Sequence, residues 1–177
     1  MASRSALDML ASMSIAFRHT AGFGKRIEYW VVGLMLKEGL DVYLPLVDDN
    51  AVDAVVKRPD GSFIEVQIKA RSKDVGFGHG GLFAAVTHEL RQNYWFVLYS
   101  ERLDEVLILS SEEFIAEAAQ NKTGINAGKR SLWLNGVRKN KKTGEREEYL
   151  KERYHKYVCR DFSRLLDIRD AEPPQIA

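Results

Sequence analysis

The strongest constraint in this chain is the tetrapeptide Arg58-Pro-Asp-Gly61, set between two β-rich runs, Ala51 to Lys57 and Ser62 to Arg71. Pro59 fixes one φ, the Asp60 side chain closes a turn on its own backbone, and Gly61 is free to take positive φ. The segment therefore predicts a hairpin. With Pro59, Asp60 and Gly61 at the tip, Asp53 faces Gln67 across the ladder and Lys69 lies one same-face step beyond. A tip one residue shorter or longer puts Asp53 opposite the other face. In the second arm Phe63, Glu65, Gln67 and Lys69 share one face, while Ile64, Val66, Ile68 and Ala70 share the other. The polar row has two readings. It is the wet face of an antiparallel sheet, with Asp53 and Lys69 a surface ion pair of little energetic value, or it is a site.

Upstream, Ile27, Trp30, Val31, Leu34 and Met35 recur at the spacing of one buried helix face. They predict a helix from Gly24 to Glu38, stopped by Gly39. Asp41 to Val47 is β-rich, with Pro45 confining it to an edge or a strand end, and the polar run Asp48-Asp49-Asn50 follows. Downstream of the loop Gly76 to Gly81, Leu82 to Arg91 reads as a helix, and Tyr94 to Tyr99 and Val106 to Leu109 as strands. Ser110 or Ser111 caps a helix from Glu112 to Gln120, with Glu113 reciprocating. The expected order is αβββαββα. Beyond it lie a hairpin (Leu132 to Leu134, turn Asn135-Gly136, then Val137), a basic turn from Arg138 to Arg146, and a helix from Glu148 to Leu166. Residues 1–120 are expected to form the core, with 121–177 a basic segment packed on the same domain and Glu172-Pro-Pro-Gln175 a frayed tail.

A chain of 177 residues that is 45% hydrophobic and 29% charged suits one globular domain and excludes a disordered or collagen-like chain. The longest apolar run, Tyr29 to Leu36, falls well short of the ~18 residues a membrane span needs. The stretch from Arg4 through Phe17 has a faint signal-peptide character, but Asp8 and serines interrupt it, so it is expected to stay in the mature protein. Cys159 is the single cysteine, which rules out an internal disulfide and points to a reducing, cytoplasmic setting.

Net charge is only +1, yet its distribution is uneven. From Asn121 to Arg160 there are twelve Lys or Arg against four Glu, whereas Asp41 to Glu65 holds six acids against two bases. One segment can collect cations and the other phosphates. The basic stretch is interleaved with Trp133, and Tyr154 and Tyr157 accompany Lys151, Arg153, Lys156 and Arg160 behind it. Cations with aromatics suit a phosphate backbone and exposed bases; the same composition also describes a solvated helix face. The glycine cluster Gly76-Phe-Gly-His-Gly-Gly81 reads as a flexible loop whose amides could approach a phosphate, without the spacing of a P-loop. His79, His88 and His155 fall in no zinc-binding spacing, and there is no GxSxG elbow for serine chemistry.

Glu28 in Gly24-Lys-Arg-Ile-Glu28, Asp53, and Gln67-Ile68-Lys69 together resemble the PD-(D/E)xK nuclease superfamily, which includes restriction enzymes, Holliday junction resolvases and intron-homing endonucleases. The resemblance covers Gly24 to Gln120. It departs at Gln67, where the family places Asp or Glu, although a QxK variant occurs in active intron-homing-type members. What the resemblance implies is an α/β, restriction-endonuclease-like fold with a central mixed β-sheet flanked by helices, and Mg²⁺-dependent hydrolysis of DNA, with Mn²⁺ as a substitute. It further implies that Asp53, Gln67, the Ile68 carbonyl and Glu28, the last through water, hold the metal, that Lys69 positions the attacking water, and that Glu65 is a reserve ligand. Arg71, Lys73, His79, Arg138, Lys139, Lys141 and Lys142 are expected to face DNA, and a homodimer follows from the superfamily's habit. Two rivals stand beside this reading: a nuclease-like module that binds nucleic acid or a protein without cutting, and an interaction protein with no nucleic-acid role.

Overall fold

The computed structural model describes residues 20–47, 50–142 and 144–166. The signal-like stretch from Arg4 to Phe17, the acids Asp48 and Asp49, and the tail from Glu172 lie outside them.

Helix α1 (Thr20–Lys37) buries Val31 and Met35 of the expected face, with Ile27 and Leu34 partly buried beside them; Val32 joins the core and Trp30 stays exposed. It lies on a five-stranded sheet ordered β1 (Asp41–Tyr43), β2 (Ala54–Lys57), β3 (Phe63–Arg71), β5 (Tyr94–Ser100) and β6 (Glu105–Ser110). The sheet is mixed: β3 and β5 run parallel, and the other neighbours are antiparallel. Ala54, Val56, Ile64, Val66 and Ile68 pack under α1 together with Val97 and Ile108. The Pro-Asp-Gly turn forms as expected, with Gly61 at a φ of 86° that strains any residue bearing a Cβ. Asp60 Oδ1 accepts the Ser62 amide at 2.8 Å to close it.

A parallel pair needs a crossover, and the segment from β3 to β5 is one. The expected helix from Leu82 to Arg91 is corrected here: Leu82–Val86 is a strand, β4, followed by irregular chain. Its sequence, LFAAV, is too short for periodicity to separate a strand from a buried helix. What decides is a distant partner, β8 (Arg130–Trp133), which pairs with β4 and with the two-residue β7 (Ala119–Gln120) in a second sheet. That sheet and helix α2 (Ser111–Glu117) cover the face of the central sheet opposite α1. Between them lies a second core of Phe83, Tyr94, Phe96, Leu98, Phe114, Leu132 and Leu134. α2 begins with the expected capping box, with Ser110 as N-cap and Glu113 returning the bond.

The C-terminal third also departs from expectation. Asn135-Gly136 makes no turn but opens β9 (Asn135–Lys139), which pairs with β10 (Arg146–Leu150) as a two-stranded ribbon around the basic turn. The helix from Glu148 to Leu166 is replaced by β10, a 3-10 helix (Glu152–Tyr157) and the single turn α3 (Ser163–Leu166). The spacing of Tyr154 and Tyr157 explains the 3-10 form, because side chains three apart eclipse there and both rings enter the second core. Phe162 and Leu165 complete the first core. Among the described residues no helix is long and apolar enough to cross a membrane.

Candidate active site

The hairpin has the register expected of it, Lys57 opposite Phe63 and Ala54 opposite Val66, but the ladder stops at Ala54. Asp53 does not take its place opposite Gln67. Its amide donates to the Val66 carbonyl at 2.9 Å, the carbonyl of the residue already paired with Ala54, so β2 leaves the sheet at this step. The Asp53 carboxylate fills the gap, accepting the Ile68 amide hydrogen on Oδ2 at 2.7 Å. Odd residues of β3 turn their amides to β5, as Glu65 does toward the Asn93 carbonyl. Ile68 therefore turns its amide and its carbonyl to the side that β2 vacates. A carboxylate and a main-chain carbonyl share one sheet edge.

Beyond that edge a cleft of about 470 Å³ opens between the end of β3 and β4, with Gln67, Ile68, Lys69 and Arg71 on one wall and Leu82 to Thr87 on the other. Gln67 is only 7% exposed, while Glu65 and Lys69 on the same face are partly exposed. Among the described residues its side-chain amide has no hydrogen-bond partner, though it reaches the cleft. Ala51 and Ala85, which also line the cleft, have φ of 56°. Alanine has no ready access to that conformation, and strain of this kind gathers at functional sites.

Glu28 stands on α1, ion-paired with Lys25. The bond from Glu28 raises the Lys25 pKa, and the Asp53 carboxylate adds to the effect. The helix acid and the strand acid thus act on one ammonium. Lys25 went unread in the sequence, where its one signal was its place three residues before Glu28. Glu65 is engaged elsewhere: its carboxylate pairs with Arg91, which also donates to the Asn50 carbonyl at 3.0 Å and stacks on Tyr94. The Tyr94 hydroxyl donates to the Ala51 carbonyl at 2.6 Å. Glu65, Arg91 and Tyr94 so hold the segment that leads into Asp53. Among the described residues no three His, Cys, Asp or Glu side chains gather in a metal-binding cluster. The donors here are of another kind, a carboxylate, an amide and a main-chain carbonyl, all hard oxygens of the sort Mg²⁺ accepts.

No protein-family model matches the chain, and no curated protein is similar to it. Among solved structures, the bacterial homing endonuclease I-Ssp6803I resembles it with a TM-score of 0.50 and 21% identity, over 78% of this chain and 88% of that one. The likeness is one of fold.

The basic residues divide into two groups. Arg71 lies at the cleft, its Nε donating to the His79 carbonyl at 3.2 Å, while Lys73 pairs with Glu101 and His79 sits edge-on to Trp133. Arg138, Lys139, Lys141 and Lys142 are exposed along the β9–β10 ribbon and its turn, with Arg138 paired to Glu147 at 2.7 Å. The glycine loop does not offer the Gly78 and Gly80 amides to a phosphate, because an internal anion holds them. Glu148, its side chain 1% exposed, accepts the amides of Gly78 at 2.7 Å and Gly80 at 2.9 Å, the Asn135 amide at 2.8 Å, and the Arg102 guanidinium. Burial opposes its ionised form, but Arg102 and the two amides outweigh it and hold the carboxyl below the ordinary glutamate range. A Cβ on Gly80 would stand 2.5 Å from Glu148 Oε2, so only glycine fits. His88 is stacked among Tyr94, Phe96 and Phe114. Burial, with Arg91 and Arg130 nearby, pushes its pKa down to about 4, and it serves the core as a neutral ring.

Proposed function

We propose that this chain is a metal-dependent DNA endonuclease of the PD-(D/E)xK type, with Gln67 in the place of the usual acid. The observation that carries the reading is the placement of Gln67, largely enclosed yet lining a cleft together with Lys69, next to the strand edge where Ile68 holds the carboxylate of Asp53. The likeness of fold to a homing endonuclease supports it. Asp53, the Gln67 oxygen and the Ile68 carbonyl hold Mg²⁺, with Glu28 reaching it through water. Bound there, the ion supplies charge stabilisation to the phosphate under attack. The weak charge of this donor set predicts low metal affinity.

The chain's own groups do the rest. Lys69 orients the attacking water and neutralises charge growing on the non-bridging phosphate oxygens. The water oxygen bonds to phosphorus and releases one proton to solvent as one bridging P–O bond breaks, and the departing alkoxide takes up a proton from solvent. Arg71 and the ribbon cations hold the phosphates on either side.

Plasmid nicking across a titration of Mg²⁺ and Mn²⁺ tests this directly. Wild type nicks, Asp53→Ala does not while still folding and binding DNA, and Lys69→Ala loses rate more than affinity. Salt-dependent binding with no nicking at any metal concentration would instead make the chain a nuclease-like binding module.

A further inference from the structure

A second groove, of about 410 Å³, adjoins the first and shares Ala84 and Ala85 with it. Its outer rim is the loop from Asn121 to Lys129, which closes on itself. Asn121 donates its amide to the Lys129 carbonyl and Gly128 donates to Asn121, both at 2.8 Å; Ala127 donates to Gly124 at 3.0 Å and Lys129 to Asn126 at 3.1 Å. The loop is also tied to the wall it shares with the cleft. Asn121 Nδ2 donates to Ser131 Oγ at 3.2 Å, and the same hydroxyl accepts the Ala85 amide at 3.2 Å. In the loop stands Ile125, 94% exposed; Lys122 lines the same groove, and Lys129 donates its Nζ to Asn126 Oδ1 at 3.2 Å. The loop's own bonds order its backbone, and the Ile125 side chain projects into water.

We propose that Ile125 is a wedge for duplex DNA. This rests on the nuclease reading above, which lays the strand in the Gln67 cleft; from there the DNA continues over Ala84 and Ala85 onto the loop. Ile125 enters between two stacked bases flanking the scissile phosphate, while Lys122 and Lys129 face the neighbouring phosphates. Apolar side chains inserted in this way unstack a base step and kink the duplex, which lifts the backbone toward the cleft.

Partial unstacking unwinds DNA and is read topologically. Closed-circular relaxed plasmid is incubated with the full chain and a metal-independent topoisomerase in EDTA, then stripped of protein and its linking number measured. Wild type is expected to leave superhelical turns. Ile125→Ala leaves the plasmid relaxed, with gel-shift affinity within about threefold of wild type, and Ile125→Leu restores the turns. Ile125→Ala that unwinds as much as wild type overturns the wedge, as does wild type that binds and leaves the plasmid relaxed. Nicking in Mg²⁺ is scored on the same preparations. Unwinding without nicking refutes the nuclease reading and leaves the wedge standing, whereas nicking without unwinding refutes the wedge alone.

Discussion

The carboxylate of Asp53 accepts the amide hydrogen of Ile68 at 2.7 Å, across the point where β2 leaves β3. That bond helps set the angle of the acid at the sheet edge. Asp53→Asn retains an oxygen for Ile68 but loses the charge, so the fold is expected to survive with a Tm close to wild type. Nicking should fall by at least ~10²-fold. An Asn variant that cuts at the wild-type rate would show that the charge is not used.

Gln67→Glu puts a carboxylate at a residue that is only 7% exposed and lines the cleft. Without metal, the added charge should destabilise the fold by about 3 kcal/mol. With Mg²⁺ it should gain more stability than wild type, because added ligand charge tightens metal binding and binding to the native state raises stability. Thermal melts in EDTA and across a Mg²⁺ series test both signs. A variant indifferent to Mg²⁺ would remove Gln67 from the ligand set.

Tyr94→Phe keeps the ring in the aromatic cluster and deletes the hydroxyl that holds the Ala51 carbonyl. The left-handed Ala51 loosens, and Asp53 two residues on loses its aim. Turnover is expected to drop by roughly 10- to 10²-fold, with DNA affinity unchanged. Single-turnover cleavage and gel-shift titration separate the two quantities.

Glu148→Gln should cost about 3–5 kcal/mol at neutral pH, since it leaves Arg102 and the glycine loop without their anion. The folded carboxyl titrates below its ordinary value of 4.5. Its contribution is therefore complete above that value and is lost as pH falls through the lower, folded one. The gap between variant and wild type in urea midpoint should shrink on acidification below pH 4.5. A gap that stays constant would place the effect in packing.

Lys141 and Lys142 sit at the exposed turn of the ribbon. Changing both to Ala should flatten the slope of log K against log salt by about 2 if each meets a phosphate. Affinity should weaken on every sequence alike. An unchanged slope would point the ribbon away from DNA.

Where the chemistry is local, the sequence was readable. The Pro-Asp-Gly turn, its register and the Ser110–Glu113 box each follow from residues within a few positions of one another. The end of the β2–β3 ladder was not readable, because a side chain, Asp53, takes over a main-chain bond and no pattern of alternation announces that. β4 was hidden for a different reason: its partner β8 lies more than forty residues later and overrides the helix-forming alanines. The glycine cluster misled because the anion it binds, Glu148, belongs to the chain itself, in a segment that reads as helix.

That β8 arrives so late has a consequence during synthesis. When a ribosome has delivered residues through α2, the far face of the central sheet still shows Phe83, Phe96 and Phe114 to water, with Leu132, Leu134 and the two tyrosines yet to emerge. The β4 wall of the cleft has no hydrogen-bonded neighbour until then. On the nuclease reading proposed above, the cleft is complete only once the final third of the chain has docked.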